Sequence, residues 1–128
     1  FRSTQRLDTN ISLPAIGQGA IGIECRIDDK ELNDMLAKLH DHETGICVRA
    51  ERAMNARLSG GCQVPIAGFA EIHNGQLFMR GLVGKPDGSQ LFRAELGGKP
   101  EDAEFIGRSI AEDLLAQGAD KVLQALYQ

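Results

Sequence analysis

Ile66-Ala67-Gly68-Phe69-Ala70-Glu71-Ile72-His73-Asn74-Gly75-Gln76-Leu77-Phe78-Met79-Arg80-Gly81-Leu82-Val83 is the stretch whose reading decides the fold. At its centre, Asn74-Gly75 tolerates positive φ at both positions, which makes it the strongest short signal for a two-residue hairpin turn. It predicts strands over 66–73 and 76–83. Gly84-Lys85-Pro86-Asp87-Gly88-Ser89 is a run of turn formers and predicts a third strand over 90–96. The three make an antiparallel meander.

Toward the C-terminus, Gly97-Gly98-Lys99 leads to Pro100 at a helix start. Glu101, Asp102 and Glu104 fall in its first turn, where the helix dipole favours anions. Phe105, Ile106, Ile110, Leu114 and Leu115 are its expected buried side, Gly118 its cap, and Val122, Leu123 and Leu126 a short final helix. Toward the N-terminus, a helix over about 43–58 carries Ile46, Ala50, Ala53, Met54 and Leu58 on its apolar side, and Gly60 and Gly61 end it. A sheet of this kind with helices on one face is an α+β domain.

Further upstream, Ile21, Ile23, Cys25 and Ile27 alternate with Gly22, Glu24 and Arg26, the period of a strand. Asp28 followed by Glu31 has the spacing of a helix cap and capping-box acid. Leu32, Met35, Leu36 and Leu39 then mark one face of an amphipathic helix. Residues 19–40 are thus a strand and a helix with no visible partner. A lone strand cannot pair its backbone groups, so this one is expected to join a sheet made elsewhere. Phe1-Arg2-Ser3-Thr4-Gln5-Arg6 has no apolar region behind it and is not a signal peptide. It also lacks an initiating methionine, so the chain is expected to be the tail of something longer.

With 128 residues there is room for one modest core, or for pieces of several domains. A formal net charge of −4 argues against a general nucleic-acid binder. No apolar run approaches the roughly 20 residues of a membrane span. The cysteines at 25, 47 and 62 are odd in number and none are spaced Cys-x-x-Cys. That gives neither a disulfide framework nor a thiolate zinc site and fits a reducing, cytoplasmic compartment. Cys25 and Cys47, inside apolar-periodic stretches, read as core fillers.

Gly17-Gln18-Gly19-Ala20-Ile21-Gly22 matches the dinucleotide-binding string, but Pro14 precedes it and a strand follows, the inverse of the required context. It reads instead either as a flexible crossover whose glycines allow close backbone approach, or as a hinge at which Gln18 and nearby amides face a ligand. His40-Asp41-His42-Glu43 reads as one helix ending and the next beginning, with Asp41 or Thr44 as cap. It is not read as a metal site. Arg49, Arg52 and Arg57 give the second helix a basic flank, read first as a solvated face and alternatively as a surface for a carboxylate-rich ligand, since Arg pairs with carboxylates bidentately.

Cys62 lies in Leu58-Ser59-Gly60-Gly61-Cys62-Gln63-Val64-Pro65, flanked by glycines and bounded by proline, where a sulfur can be reached. Three readings stand at this point: a structural thiol in a tight turn, a catalytic nucleophile, or an attachment point alkylated once and kept as an anchor. The position after a helix C-terminus weakens the nucleophile, since the dipole there disfavours thiolate.

Two long motifs carry a resemblance. Leu13-Pro14-Ala15-Ile16-Gly17-Gln18-Gly19-Ala20-Ile21-Gly22-Ile23-Glu24-Cys25-Arg26 resembles the hinge-and-strand signature of the porphobilinogen deaminase (hydroxymethylbilane synthase) family. Ala50-Glu51-Arg52-Ala53-Met54-Asn55-Ala56-Arg57-Leu58, running into Gly60-Gly61-Cys62-Gln63-Val64-Pro65, looks like that family's cofactor-attachment segment. The resemblance runs from Leu13 to Gln128. It implies a transferase of tetrapyrrole (heme) biosynthesis that joins four porphobilinogen molecules, with loss of ammonia, into hydroxymethylbilane. It further implies a dipyrromethane cofactor held by a thioether to Cys62, and Gln18 and Gly19 as contacts to the pyrrole ligand.

By the same resemblance, residues 1–18 end a second domain at a hinge. Residues 19–41 cross back as strand and helix of a periplasmic-binding-protein-like α/β first domain, and 42–128 form the cofactor-carrying C-terminal domain. No catalytic residue is expected in this segment. The implied partners are porphobilinogen and the N-terminal portion of the same enzyme, with no nucleic acid, membrane or metal. The alternative is a non-enzymatic small-ligand or interaction domain in which Cys62 is structural.

Overall fold

The computed structural model describes residues 2–59 and 65–126. Helices α1 (Lys30–Ala37) and α2 (His42–Arg57) precede strands β1 (Ile66–His73), β2 (Gln76–Gly84) and β3 (Leu91–Gly98), which are followed by α3 (Ala103–Leu114) and α4 (Asp120–Leu126). The strands form one antiparallel sheet in the order β1-β2-β3. In the β1–β2 hairpin His73 faces Gln76, and Asn74 and Gly75 have φ of 50° and 74°. That is the double left-handed turn their residue types favour. This α+β arrangement is the one the sequence predicts, with strand ends moved by one or two residues.

One face of the sheet is apolar and covered. Ala70, Leu77, Met79, Val83, Phe92 and Ala94 pack beneath Ile46, Ala50 and Met54 of α2 and Ile106, Ile110 and Leu114 of α3. Glycines on that face make room: over Gly81, Met54 Sδ and Ile110 Cγ2 occupy the place a Cβ would take. The two helices approach backbone to backbone, since a Cβ at Gly107 would overlap the Ala50 carbonyl oxygen. Arg57 of α2 and Glu112 of α3 pair at the outer rim.

On the other face, Arg80 lies over the Phe69 ring and reaches Glu71 at 3.3 Å. It also donates to Asn10 Oδ1 at 2.7 Å and Thr9 Oγ1 at 2.8 Å, tying the N-terminal segment to the sheet.

The structure corrects several expectations. No strand forms over residues 19–27; Ile21 and Ile27 are 93% and 98% exposed. A strand is defined by its ladder, and no described strand runs beside this segment to supply one. Cys25, read as a core filler, is therefore exposed, its thiol 3.3 Å from Asn33 Oδ1. The α1 cap is Asp29, one residue after Asp28, because Asp29 Oδ1 accepts from Leu32 N at 3.0 Å.

Helix α2 ends at Arg57 with Ser59 in a left-handed conformation, while Gly60 and Gly61, expected to end it, lie outside the described residues. Pro100 opens a 3-10 turn, Pro100–Asp102, that leads into α3. Phe105, expected inside, is 67% exposed; Ala103, Gly107 and Ala111 hold the buried positions instead. Phe105 falls off the stripe that Ala103, Ile106, Ile110 and Leu114 form at helical spacing, and the close approach of α3 to α2 is at Gly107. Gly118, at φ 109°, kinks the chain into α4, as a glycine cap does.

Candidate functional site

The segment before residue 20 is fastened along the free edge of β1. An edge strand leaves alternate N–H groups without a ladder partner. Gly68 N, one of these, donates to Pro14 O at 3.1 Å. Ala70 N, the next, donates to Glu51 Oε1 at 2.9 Å. The second oxygen of Glu51, Oε2, accepts from Gly17 N at 2.7 Å. Ile16 packs on the core over Gly68, beside Met54.

What is held there is a tight turn. Gln18 N donates to Ala15 O at 3.1 Å, Ala20 N to Gly17 O at 3.2 Å, and the Gln18 carboxamide oxygen accepts from Ala15 N at 3.0 Å. Gly17 and Gly19 have φ of 67° and 88°, a region costly for residues with a Cβ. A Cβ at either would meet nothing within 4 Å. The glycines therefore serve backbone angle, and the expected close backbone approach is absent at these two positions.

Beneath the turn is a cleft of about 330 Å³, with Gly17, Gln18, Gly19 and Ala20 on one wall and Thr44, Cys47, Val48 and Glu51 of α2 on the other. The structure thus places Gln18 and Gly19, far from Glu51 in sequence, against α2 and β1. Cys62 lies outside the described residues, in the segment between Ser59 and Pro65.

The electrostatics of the cleft are set by burial. Glu51 is 5% exposed, and burial pushes its carboxyl above the ordinary range against the opposing pull of the Gly17 and Ala70 amides. Burial also raises the Cys47 thiol, and the carboxylates of Glu51, Glu43 and Glu71 raise it further. Cys47 is thus held as a thiol, a poor nucleophile. The half-buried position against the core agrees with its reading as a filler.

Asp41 caps α2 by accepting from Thr44 N at 2.8 Å, which lowers its pKa. The His40 ring lies against Gly45 in the first turn of that helix. This is the helix junction expected from His40-Asp41-His42-Glu43. Arg49 and Arg52 are exposed, as a solvated flank would be.

Donors remain on the wall formed by the turn. Among the described residues, the Gln18 carboxamide NH₂ and the Gly19 N–H make no hydrogen bond. They can donate to acceptor atoms of a ligand that enters the cleft, which Asp41 and Glu43 also line. The residues present therefore fit a ligand that carries such acceptors.

Sequence reasoning missed Glu51. Its signal was available: it stands four residues after Cys47 and three before Met54, so an acid sits within the buried stripe of α2. Arg80 was missed as well, because the expected strand β2 gave no hint that residues 9 and 10 would return to it.

Two family models match the chain. One, described as porphobilinogen deaminase, C-terminal domain, matches residues 45–116, more than half of the sequence. The other, described as porphobilinogen deaminase, dipyromethane cofactor binding domain, matches residues 1–34. The first match takes in the meander, α3 and all but the first turn of α2. The second takes in the clamped turn and reaches back to residue 1, further than the motifs quoted from Leu13.

Proposed function

The chain belongs to the porphobilinogen deaminase family, and from that premise we propose that Cys62 is the residue that anchors the family's dipyrromethane cofactor, with Gln18 and Gly19 as its hinge contacts. The family is a transferase, hydroxymethylbilane synthase, of porphyrin and heme biosynthesis, and its substrate is porphobilinogen. When bound, the cofactor supplies the covalent start of the growing pyrrole chain.

The residues of this chain have mounting roles. Cys62 offers a thiol on the segment that joins the end of α2 to the start of β1. Gln18 and Gly19 offer donors to acceptor atoms of the ligand. Pro14, Ile16 and Glu51 hold those donors in place. The observation that carries the reading is the docking of the 17–19 turn onto α2 and β1, the two elements that bracket residues 60–64.

The domain division belongs to the same proposal. Residues 1–18 end the second domain, 19–41 return to the first, and 42–128 carry the cofactor. The exposed apolar positions of 19–39 support it, because each would gain cover from an N-terminal portion of the enzyme. The compartment is proposed to be the cytoplasm; among the described residues no helix is long and apolar enough to cross a membrane.

Intact-mass measurement on active enzyme containing this chain tests the proposal. We expect a covalent increment localised by peptide mapping to Cys62, a pink colour with acidic aldehyde reagent, and loss of both in Cys62→Ser. An unmodified Cys62 in an active preparation would overturn it.

A further inference from the structure

Glu51 is the one buried charged side chain among the described residues, and no cation pairs with it there. A buried carboxylate without a counter-charge is a poor way to stabilise a core, since a packed apolar side chain of similar volume does as well or better. Its two oxygens instead divide between two separate stretches of backbone, Gly17 in the turn and Ala70 in β1. The placement also marks a boundary. Pro14, Ile16 and Gly17 are each fastened to β1, the core or α2, whereas Ile21 and Ile23 beyond the turn are exposed. Gly17 N is the last backbone group before that free stretch to be held by the helix and sheet.

We propose that Glu51 is a positioning residue, a latch that sets the Gly17–Gln18–Gly19 turn over the cleft and so presents the free donors of Gln18 and Gly19 to the pyrrole ligand. It acts through the turn and touches no reacting atom. The inference rests on the reading that Gln18 and Gly19 contact that ligand.

The test uses full-length, cofactor-loaded enzyme and Glu51→Gln. Glutamine keeps the shape and one acceptor oxygen but turns an NH₂ toward the other amide, so one of the two bonds is lost. Hydrogen exchange at Gly17 is expected to quicken about tenfold while the amides of α2 and α3 stay as they were. KM for porphobilinogen is expected to rise about tenfold with kcat changed by less than about threefold, the sign of a lost ligand-positioning contact. Cofactor load on Cys62 should not change.

Unaltered exchange at Gly17 with unaltered KM would overturn the latch. So would equal loosening of α2, α3 and the sheet, which would make Glu51 a stability residue. The unmutated enzyme offers a check free of any folding defect: Gly17 N–H should exchange more slowly than Gly19 N–H, and equal rates would refute the proposal. A bare Cys62 in active unmutated enzyme would sink the cofactor reading instead, while the exchange at Gly17 would still decide the latch.

Discussion

Two halves of this chain carry nearly the same hydrophobic code and meet opposite fates. In and just after α2, Ile46, Ala50, Met54 and Leu58 repeat at helical spacing and are buried. In and just after α1, Leu32, Met35, Leu36 and Leu39 repeat at the same spacing, yet α1 has no buried residue and Leu39 is 71% exposed. The strands repeat the contrast. Leu77, Met79 and Val83 alternate into a core, while Ile21, Ile23 and Ile27 alternate into water. Patterning states which face of an element seeks apolar cover. It does not state whether that cover lies among the described residues, because burial is a property of two surfaces and the pattern describes one.

The contrast can be broken most directly by truncating one methionine from each half. Met54→Ala should cost about 2–5 kcal/mol in denaturant unfolding of the chain, since Met54 fills the space over Gly68 and Gly81. Met35→Ala should fall within about 0.5 kcal/mol, as exposed substitutions do. A comparable loss at Met35 would show that α1 packs after all.

Gly107→Ala probes the tight side of the packed half. The new Cβ meets the Ala50 carbonyl oxygen, a backbone atom that cannot swing aside, so α3 must shift from α2. The expected cost is about 1–3 kcal/mol despite the better helix propensity of alanine.

Smaller effects are expected from the two helix caps. Asp41→Ala removes the bond to Thr44 N and should lower global stability by about 1 kcal/mol, because α2 belongs to the core. Asp29→Ala removes the matching bond to Leu32 N but should loosen α1 alone. Faster amide exchange in α1 with an unchanged unfolding midpoint would confirm it.

The subtlest comparison concerns pH. Burial raises the Glu51 carboxyl above the ordinary value of 4.5, so the folded state holds that proton more readily than the unfolded state. Its contribution to stability is fully present below the ordinary value and is lost as pH rises through the raised one. Glu51→Gln cannot ionise, and unfolding curves taken across this range should lose that falling component. An unchanged slope would show that Glu51 does not titrate differently on folding.

Much of the packed half was legible from local chemistry. Asn74-Gly75 can satisfy two consecutive left-handed positions, and the hairpin follows from them. Asp41 and Thr44 have cap spacing, and the stripe of α2 names its own buried face. The burial expected of Phe105 followed its apolarity and not its phase, since the stripe of Ala103, Ile106, Ile110 and Leu114 passes it by; what was not legible is how closely α3 approaches α2 at Gly107. The cleft was half legible. Gln18 and Gly19 stood out as a glycine turn at a hinge, but nothing local revealed that Glu51 would hold it: its place in the stripe of α2 marks an inward acid without naming the partners of its oxygens.

By itself the sequence settled where the helices, the turns and the three strands of the meander form, though not the strand expected over 19–27, because capping, φ preference and periodicity act over a few residues. It also carried the motifs that mark the family. The tertiary structure alone decided which apolar faces are covered, and that a carboxylate in α2 joins the turn at Gly17 to β1 across 34 and 19 residues of chain. Those outcomes depend on distances between segments far apart in the chain, and such distances exist only once the helices have packed on the sheet.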